Sequence, residues 1–483
     1  MKIIKTSLVT ALAAALVACG GGGGSGGGDT LIGTPGPTPS PSPSPSPTPT
    51  GACSLSERQE WTFNQIDEWY LFPDLIDRGV NRSSFNDLQD YIDALVAPAR
   101  AQDKDRFFTY ITSIEEERQL IEQGSNAGFG VRLGYDTGAN RVFIIESFEN
   151  GSAFAADIDR GDEILAIGTS SGTLRDVSAI MQAEGPRGVS DALGPSEPGV
   201  TRVLRVRIDG VDREVTLTKT EYSLDPISDR YGAKILNDNG KRVGYLNLRT
   251  FIVSDASRQL RNAFADFKAQ GVDEVIVDFR YNGGGLVSVA ELMGDLLGGE
   301  FAGQVFSRTV FRDSKSANNS VENFTRQSQS IMPSKIAFIG RGGTASASEL
   351  VINSMIPYFG SNMALIGTDT FGKPVGQIAL DRETCDDRLR VVAFKTANAD
   401  GNGEYFSGLA SEVPVTCQAA DDISFQLGDA QEDSVAQALG FLAGRSCTPI
   451  PTGTQGTRST RPGKLLLQPD RPNAAQREVP GLF

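Results

Sequence analysis

The stretch from residue 243 to 278 leaves the chain little choice of fold. "VGYLNL" and "VDEVIVDF" are short apolar runs, and between them "SDASRQLRNAFADFKAQG" puts Leu260, Ala263, Phe264 and Phe267 on one helical stripe, with Gly271 as a stop signal. Further on, "KIAFIG" and "MALIG" continue the alternation of strand and helix. Strands this apolar need cover on both faces, so an α/β domain with covered sheet faces is expected over residues 223–445.

The rest of the chain divides by pattern. Residues 53–125 read as a helical region, with Trp61, Ile66 and Tyr70 at core spacing in "LSERQEWTFNQIDEWYLF". Residues 126–222 switch to short β-rich runs such as "GFGVRLGY", "RVFIIESF" and "TRVLRVRID", separated by Gly, Asn and Asp turns, which implies a small β-dominated module. "NADGNGEYF" at 398–406 lacks the later bidentate Glu of a calcium loop and is expected to be a hairpin turn. The Pro-, Thr-, Gly- and Arg-rich tail at 446–483 is expected to be disordered.

The N-terminal residues address the chain to a membrane surface. "MKIIKTSLVTALAAALVAC" has two lysines and then an apolar run too short to span a bilayer, which marks residues 1–19 as an export signal. Its end resembles a bacterial lipobox, so Cys19 is the expected lipidation site and membrane anchor. Residues 20–52 are a Gly/Ser coil followed by a Pro-rich rod, a tether lacking the Lys-Ser/Thr that a phosphate loop needs. Export to an oxidising compartment makes disulfides expected among Cys53, Cys385, Cys417 and Cys447. Spacing does not fix the pairing; Cys385 with Cys417 and Cys53 with Cys447 is the expected one, because the first pair flanks one region and the second brackets the folded part. A net charge of −15 argues against a nucleic-acid partner.

Chemistry concentrates in three segments. In "GRGGTASASEL", Ser346 and Glu349 have capping-box spacing, so Ser346 reads as a helix cap or as a nucleophile beside the free amides of a helix start. The chain has no histidine, so a nucleophilic serine would need another base. Lys373 in "TFGKPVGQ", with Gln377 four residues on, is a candidate if burial lowers its pKa; the plain alternative is a surface lysine in a turn. In "VIVDFRYNGGGL", Asn282 precedes three glycines that suit either a tight turn or close approach of amides to a ligand.

Together and in this order, the three segments resemble the C-terminal processing peptidases, tail-specific serine proteases with a Ser/Lys dyad. Thr344-Ala345-Ser346-Ala347-Ser348-Glu349, Thr370-Phe371-Gly372-Lys373 with Gln377, and Asp278-Phe279-Arg280-Tyr281-Asn282-Gly283-Gly284-Gly285 match the family's motifs. Gly283 stands where many members carry Pro. The resemblance covers most of residues 53–440, with "DKDRFFTYIT" and "VGYLNLRTF" also in place. It implies an N-terminal helical segment, a β-rich PDZ-like domain and a crotonase/Clp-like α/β catalytic domain. Ser346 would be the nucleophile, Lys373 the base and Gln377 its orienting partner, with Gly284 and Ala347 amides, or the adjacent Gly283, as oxyanion hole. Gly128, Phe129, Gly130 and Val131 would form a loop that binds peptide carboxylates. Implied partners are polypeptides held through their C-terminal tails, with no cofactor and no metal. The implied setting is the envelope of a Gram-negative-type bacterium, lipid-anchored at the outer membrane or periplasmic face. The rival reading is a peptide- or ligand-binding lipoprotein on the same fold without turnover.

Overall fold

Six strands form the central sheet, in the order Ala233–Asp238, Lys241–Asn247, Glu274–Asp278, Lys335–Gly340, Met363–Gly367 and Thr416–Gln418. The first two make an antiparallel hairpin and every later neighbour is parallel. The structure is a computed structural model that describes residues 53–452 and 465–483. The expected export signal, Cys19, the tether at 20–52 and residues 453–464 of the tail lie outside the described residues. Everything described belongs to one compact unit.

Period-two alternation divides each central strand between two cores. Val275 and Val277 face a core built with the helices Ala256–Ala269, Val287–Leu297 and Ala347–Phe359, while Ile276 faces the helix Asp433–Leu442. Both faces are therefore covered, as the apolar strands require. The stripe of Leu260, Ala263, Phe264 and Phe267 is the buried face of Ala256–Ala269.

A second sheet is assembled from distant segments. Tyr110–Ser113 pairs with Asp387–Ala397, which also pairs with Val375–Arg382 and Val305–Phe311. Its apolar face packs on the N-terminal helices through Ile66, Tyr70, Ile92, Leu389 and Val391. Residues 53–125 are thus woven into the strand pair that carries the lysine segment. The β-rich module has a seven-stranded sheet from Val131 onward. It also contains a helix, Val177–Leu193, bent at Gly185 and Pro186, and the pair Ser125–Gly128 with Thr220–Ser223 closes its base.

Three expectations are corrected. The disulfides are Cys53–Cys385 and Cys417–Cys447. Cys53, the first described residue, docks beside the turn that joins Val375–Arg382 to Asp387–Ala397. The segment after Asp433–Leu442 returns along Thr416–Gln418, where Gln418 donates its amide to Thr448 O at 2.7 Å. Loop 398–406 is closed by Asn398 N–H to Asn402 O at 3.0 Å, but no second strand follows, so it is a turn without a hairpin. The described part of the tail is ordered: Leu465–Leu466 adds a strand beside Val131–Asp136, Ala474–Glu478 is helical, and Leu467, Val479, Leu482 and Phe483 are buried. Leu467, Val479, Leu482 and Phe483 each join an existing apolar cluster while Leu465 stays exposed, so a polar average over 446–483 did not prevent folding of its second half.

Candidate active site

The glycine turn follows the buried strand Glu274–Asp278. Asn282 fixes it from both ends: its Nδ2 donates to Leu248 O at 2.8 Å and its Oδ1 accepts from Gly284 N at 2.9 Å. Its own carbonyl accepts from Ala345 N and from Ser348 Oγ, each at 3.1 Å, which ties this turn to the serine segment. Gly284 has φ of 115°, and a Cβ placed there would lie 2.8 Å from the Ser346 Cβ. Only glycine tolerates that conformation and that approach.

Ser346 sits immediately before the helix Ala347–Phe359, at φ 54° and ψ −115°. Such a backbone costs a non-glycine residue on the order of 1–3 kcal/mol and persists only where the surroundings impose it. The helix start brings the Ala347 amide next to the serine, while the Ser348 amide is taken by Ala345 O at 3.1 Å. Ser348 is buried and spends its hydroxyl on Asn282 O, so it is a packing group.

Glu349 joins the serine to the lysine. Its buried carboxylate accepts from Ser346 N at 3.1 Å and Lys373 N at 2.7 Å on Oε2, and from Thr370 Oγ1 and Gly372 N, both at 2.6 Å, on Oε1. Burial raises its pKa and these donors oppose the rise. One oxygen binding both amides keeps the backbones of Ser346 and Lys373 a few ångström apart. Phe371 N–H to Thr344 O at 2.9 Å adds a second tie between the two segments. The capping-box spacing revealed the contact with the Ser346 amide; the three donors from the lysine loop had no local signal.

Lys373 is partly buried and donates from Nζ to Gln377 Oε1 at 2.8 Å. Gln377 in turn donates from Nε2 to Phe108 O, which fixes which of its amide atoms faces the lysine. Burial holds the ammonium below the ordinary lysine value, against the opposing carboxylates of Glu478, Asp105 and Glu349. Arg106, from the "DKDRFFTYIT" segment, donates to Phe371 O at 2.7 Å and braces the loop from the other side. Sequence reasoning placed that segment without assigning Arg106 this contact.

Of the residues expected to form the oxyanion hole, Ala347 lies at the helix start and the Gly284 N–H is turned to Asn282 Oδ1. Residues 128–131, the expected peptide loop, contact Phe483. Gly130, at φ 76°, and Val131 point their amides at a single oxygen of Phe483, the last residue of the sequence, each at 3.1 Å. Gly128 lies so close to Phe483 that a Cβ would come within 2.7 Å of its carbonyl carbon. Phe129 lines the apolar core that receives the Phe483 ring.

An α/β core thus carries a strained serine, a partly buried lysine and a carboxylate that binds the backbones of both. Residues 242–415 match the model of peptidase family S41. It is 25% identical over 319 residues to the carboxyl-terminal-processing protease of Synechocystis sp., covering 65% of this chain and 67% of that protein. Identity is 30% over 278 residues to the chloroplastic C-terminal processing peptidase of Tetradesmus obliquus, covering 53% of each. The chain thus spans about half to two thirds of the length of these relatives. A crystal structure of a candidate S41 protease from Bacteroides fragilis shares the fold, with TM-score 0.61, 22% identity, and coverage of 80% of this chain and 97% of that one.

Proposed function

We propose that the chain is a serine endopeptidase in which Ser346 is the nucleophile, Lys373 the general base and Gln377 the group that orients the lysine. The observation that carries this reading is the Glu349 carboxylate, which binds the amides of both residues on one oxygen within the S41 region. The neutral Lys373 amine accepts the Ser346 hydroxyl proton as Oγ bonds to the peptide carbonyl carbon, and the amides of Ala347 and Gly283 receive the oxyanion. Collapse breaks the C–N bond, and the leaving amine takes the proton from Lys373. Water then gives a proton to Lys373 as it attacks the acyl-enzyme. Ser346 Oγ departs with that proton and the new C-terminal carboxylate is released. The lysine is available as a base because burial lowers its pKa.

The names of the sequence relatives support polypeptide C-terminal regions as substrates. In this reading residues 126–222 are a PDZ domain, residues 223–445 a crotonase/Clp-like catalytic domain, and Cys19 a lipid anchor holding the enzyme in a Gram-negative-type cell envelope. The test compares the full chain with Ser346→Ala on a labelled unfolded protein, alongside labelling by a fluorophosphonate. Hydrolysis and labelling are both expected to disappear in Ser346→Ala. Equal turnover by the two proteins would remove Ser346 from its role, and no turnover by either would favour a peptide-binding protein.

A further inference from the structure

We propose that residues 465–483 are a ligand for the chain's own peptide groove, a tail that competes in cis with polypeptides ending in an apolar residue and keeps the Ser346–Lys373 site closed until it is displaced. What the tail inhibits rests on the proteolytic reading above; its occupation of the groove does not.

The fit is that of a strand added to a sheet edge. Phe483 N donates to Val131 O and Leu133 N donates to Gly481 O, both at 2.8 Å, and the Gly130 and Val131 amides converge on the Phe483 oxygen. The Phe483 ring is 2% exposed, among Phe129, Val131, Leu133, Val189 and Leu193.

The residues before it bridge groove and dyad. Val479 and Leu482 pack on Leu120, Leu224, Ile252 and Val253, the last two adjoining the catalytic glycine turn. Arg132 donates from Nε to Pro480 O at 3.0 Å, and Gln476 donates from Nε2 to Leu482 O at 2.9 Å. A Cβ on Gly283 would meet Glu478 O at 2.7 Å and the Pro480 ring at 3.0 Å, so the tail lies against the turn where a substrate carbonyl would be received. The Glu478 side chain is an electrostatic neighbour of Lys373 and favours its charged form, the form without basicity. Cleavage of the tail is opposed by its shape. Ala474–Glu478 is helical, Val479 N donates to Ala475 O at 2.8 Å, and Pro480 follows, so the backbone of 474–479, which reaches the glycine turn at Glu478, is not extended.

A tethered ligand competes at an effective concentration on the order of 1 mM, so a free peptide of Kd ~0.1 mM would lose about tenfold in apparent affinity. The experiment uses the full chain and two variants, Phe483→Asp in the groove and Val479→Asp in the cleft, each checked for folding by circular dichroism. A labelled synthetic peptide of sequence 478–483 is titrated by fluorescence polarisation in the Ser346→Ala background. It should bind either variant about tenfold more tightly than the parent, and its C-terminal amide should bind neither. With Ser346 intact, hydrolysis of an unfolded protein below KM should rise by a similar factor. Equal probe affinity in parent and both folded variants, or equal binding of the amide, would overturn the proposal. So would hydrolysis that is present but unchanged by either variant. Tighter probe binding with no hydrolysis by any protein would support the tail as ligand and remove the proteolytic reading instead.

Discussion

Replacing Glu349 by glutamine tests whether one carboxylate organises the dyad. Three backbone N–H groups and the Thr370 hydroxyl point at its two oxygens, so the ionised form is the one the site holds. An amide keeps one acceptor and turns an NH2 group toward the donors on the other side. The cheaper orientation puts that group on the Thr370 side, where the hydroxyl oxygen can accept and the Gly372 N–H is left without a partner. Orphaning a buried N–H that met a charged acceptor costs about 1.5–3 kcal/mol, and the remaining bonds weaken from charge-assisted to neutral. Relief from no longer burying a charge offsets part of this, since burial raises the Glu349 pKa. The net loss is about 2–3 kcal/mol, equivalent to roughly 30- to 150-fold in kcat/KM if it falls on the transition state.

The pH profile distinguishes positioning from general weakening. Glu349 is one of the carboxylates that raise the Lys373 pKa, so neutralising it lowers that pKa. The acid limb of kcat/KM should therefore move to lower pH in Glu349→Gln, while a purely structural defect would reduce the amplitude and leave the limb in place. The assay is hydrolysis of a fluorogenic peptide across pH, with thermal unfolding run beside it. A folded Glu349→Gln protein with the parent's kcat/KM and an unmoved limb would refute the shared clamp.

The remaining predictions concern the base and the glycine turn. Lys373→Arg keeps the positive charge but cannot supply a neutral base, so hydrolysis should fall to background with little change in thermal midpoint. In the parent the active form is the unprotonated amine, so kcat/KM should rise with pH along a limb lying below the ordinary lysine value, because burial lowers that pKa; near-normal hydrolysis by the arginine variant at neutral pH would send the search to another base. Gly284→Ala would force a Cβ to within 2.8 Å of the Ser346 Cβ at φ 115°, and hydrolysis should drop by about two orders of magnitude, corresponding to ~3 kcal/mol of strain and displacement. Fluorophosphonate labelling of Ser346 should fall with it, and unchanged labelling would show that the turn does not abut the serine.

What could be read in advance was whatever local chemistry specifies. The helix stripe, the covered central strands and the three motif segments depend on neighbours in sequence, and the structure forms each of them. Glu349 marks the boundary of that legibility. Its bond to Ser346 lies within one turn, but its other partners lie 21 to 24 residues on, where no periodicity connects them. Gly283 and Gly284 are alike in sequence, and only the Asn282 side chain, anchored on Leu248 O, decides which amide is engaged. The second sheet was hidden because Tyr110–Ser113 finds its partner some 280 residues later, at Asp387–Arg390. The cysteines failed for a related reason: pairing follows which segments meet in space, and here Cys53 meets a turn of the lysine strand pair.

The tail was misjudged through its average. Across residues 446–483 as a whole Pro, Thr, Gly and Arg dominate, a composition that by itself buries too little to order a chain, but Leu465, Leu466, Leu467, Val479, Leu482 and Phe483 gather in its second half. Composition weighs every residue equally, whereas an edge strand needs only a few correctly spaced apolar groups and free backbone donors. Leu465–Leu466 finds the outer edge of Val131–Asp136, and further along, Gly481–Phe483 hydrogen-bonds to the same strand's Val131 and Leu133 while the Phe483 oxygen meets the Gly130 and Val131 amides. The loop at 128–131 was read as a site for peptide carboxylates and the tail as having no structure. The two readings are linked if the tail is this loop's ligand, because a tethered segment has the advantage of concentration over a free one. A segment elsewhere in a chain that matches its groove's chemistry should therefore be treated as that groove's first competitor.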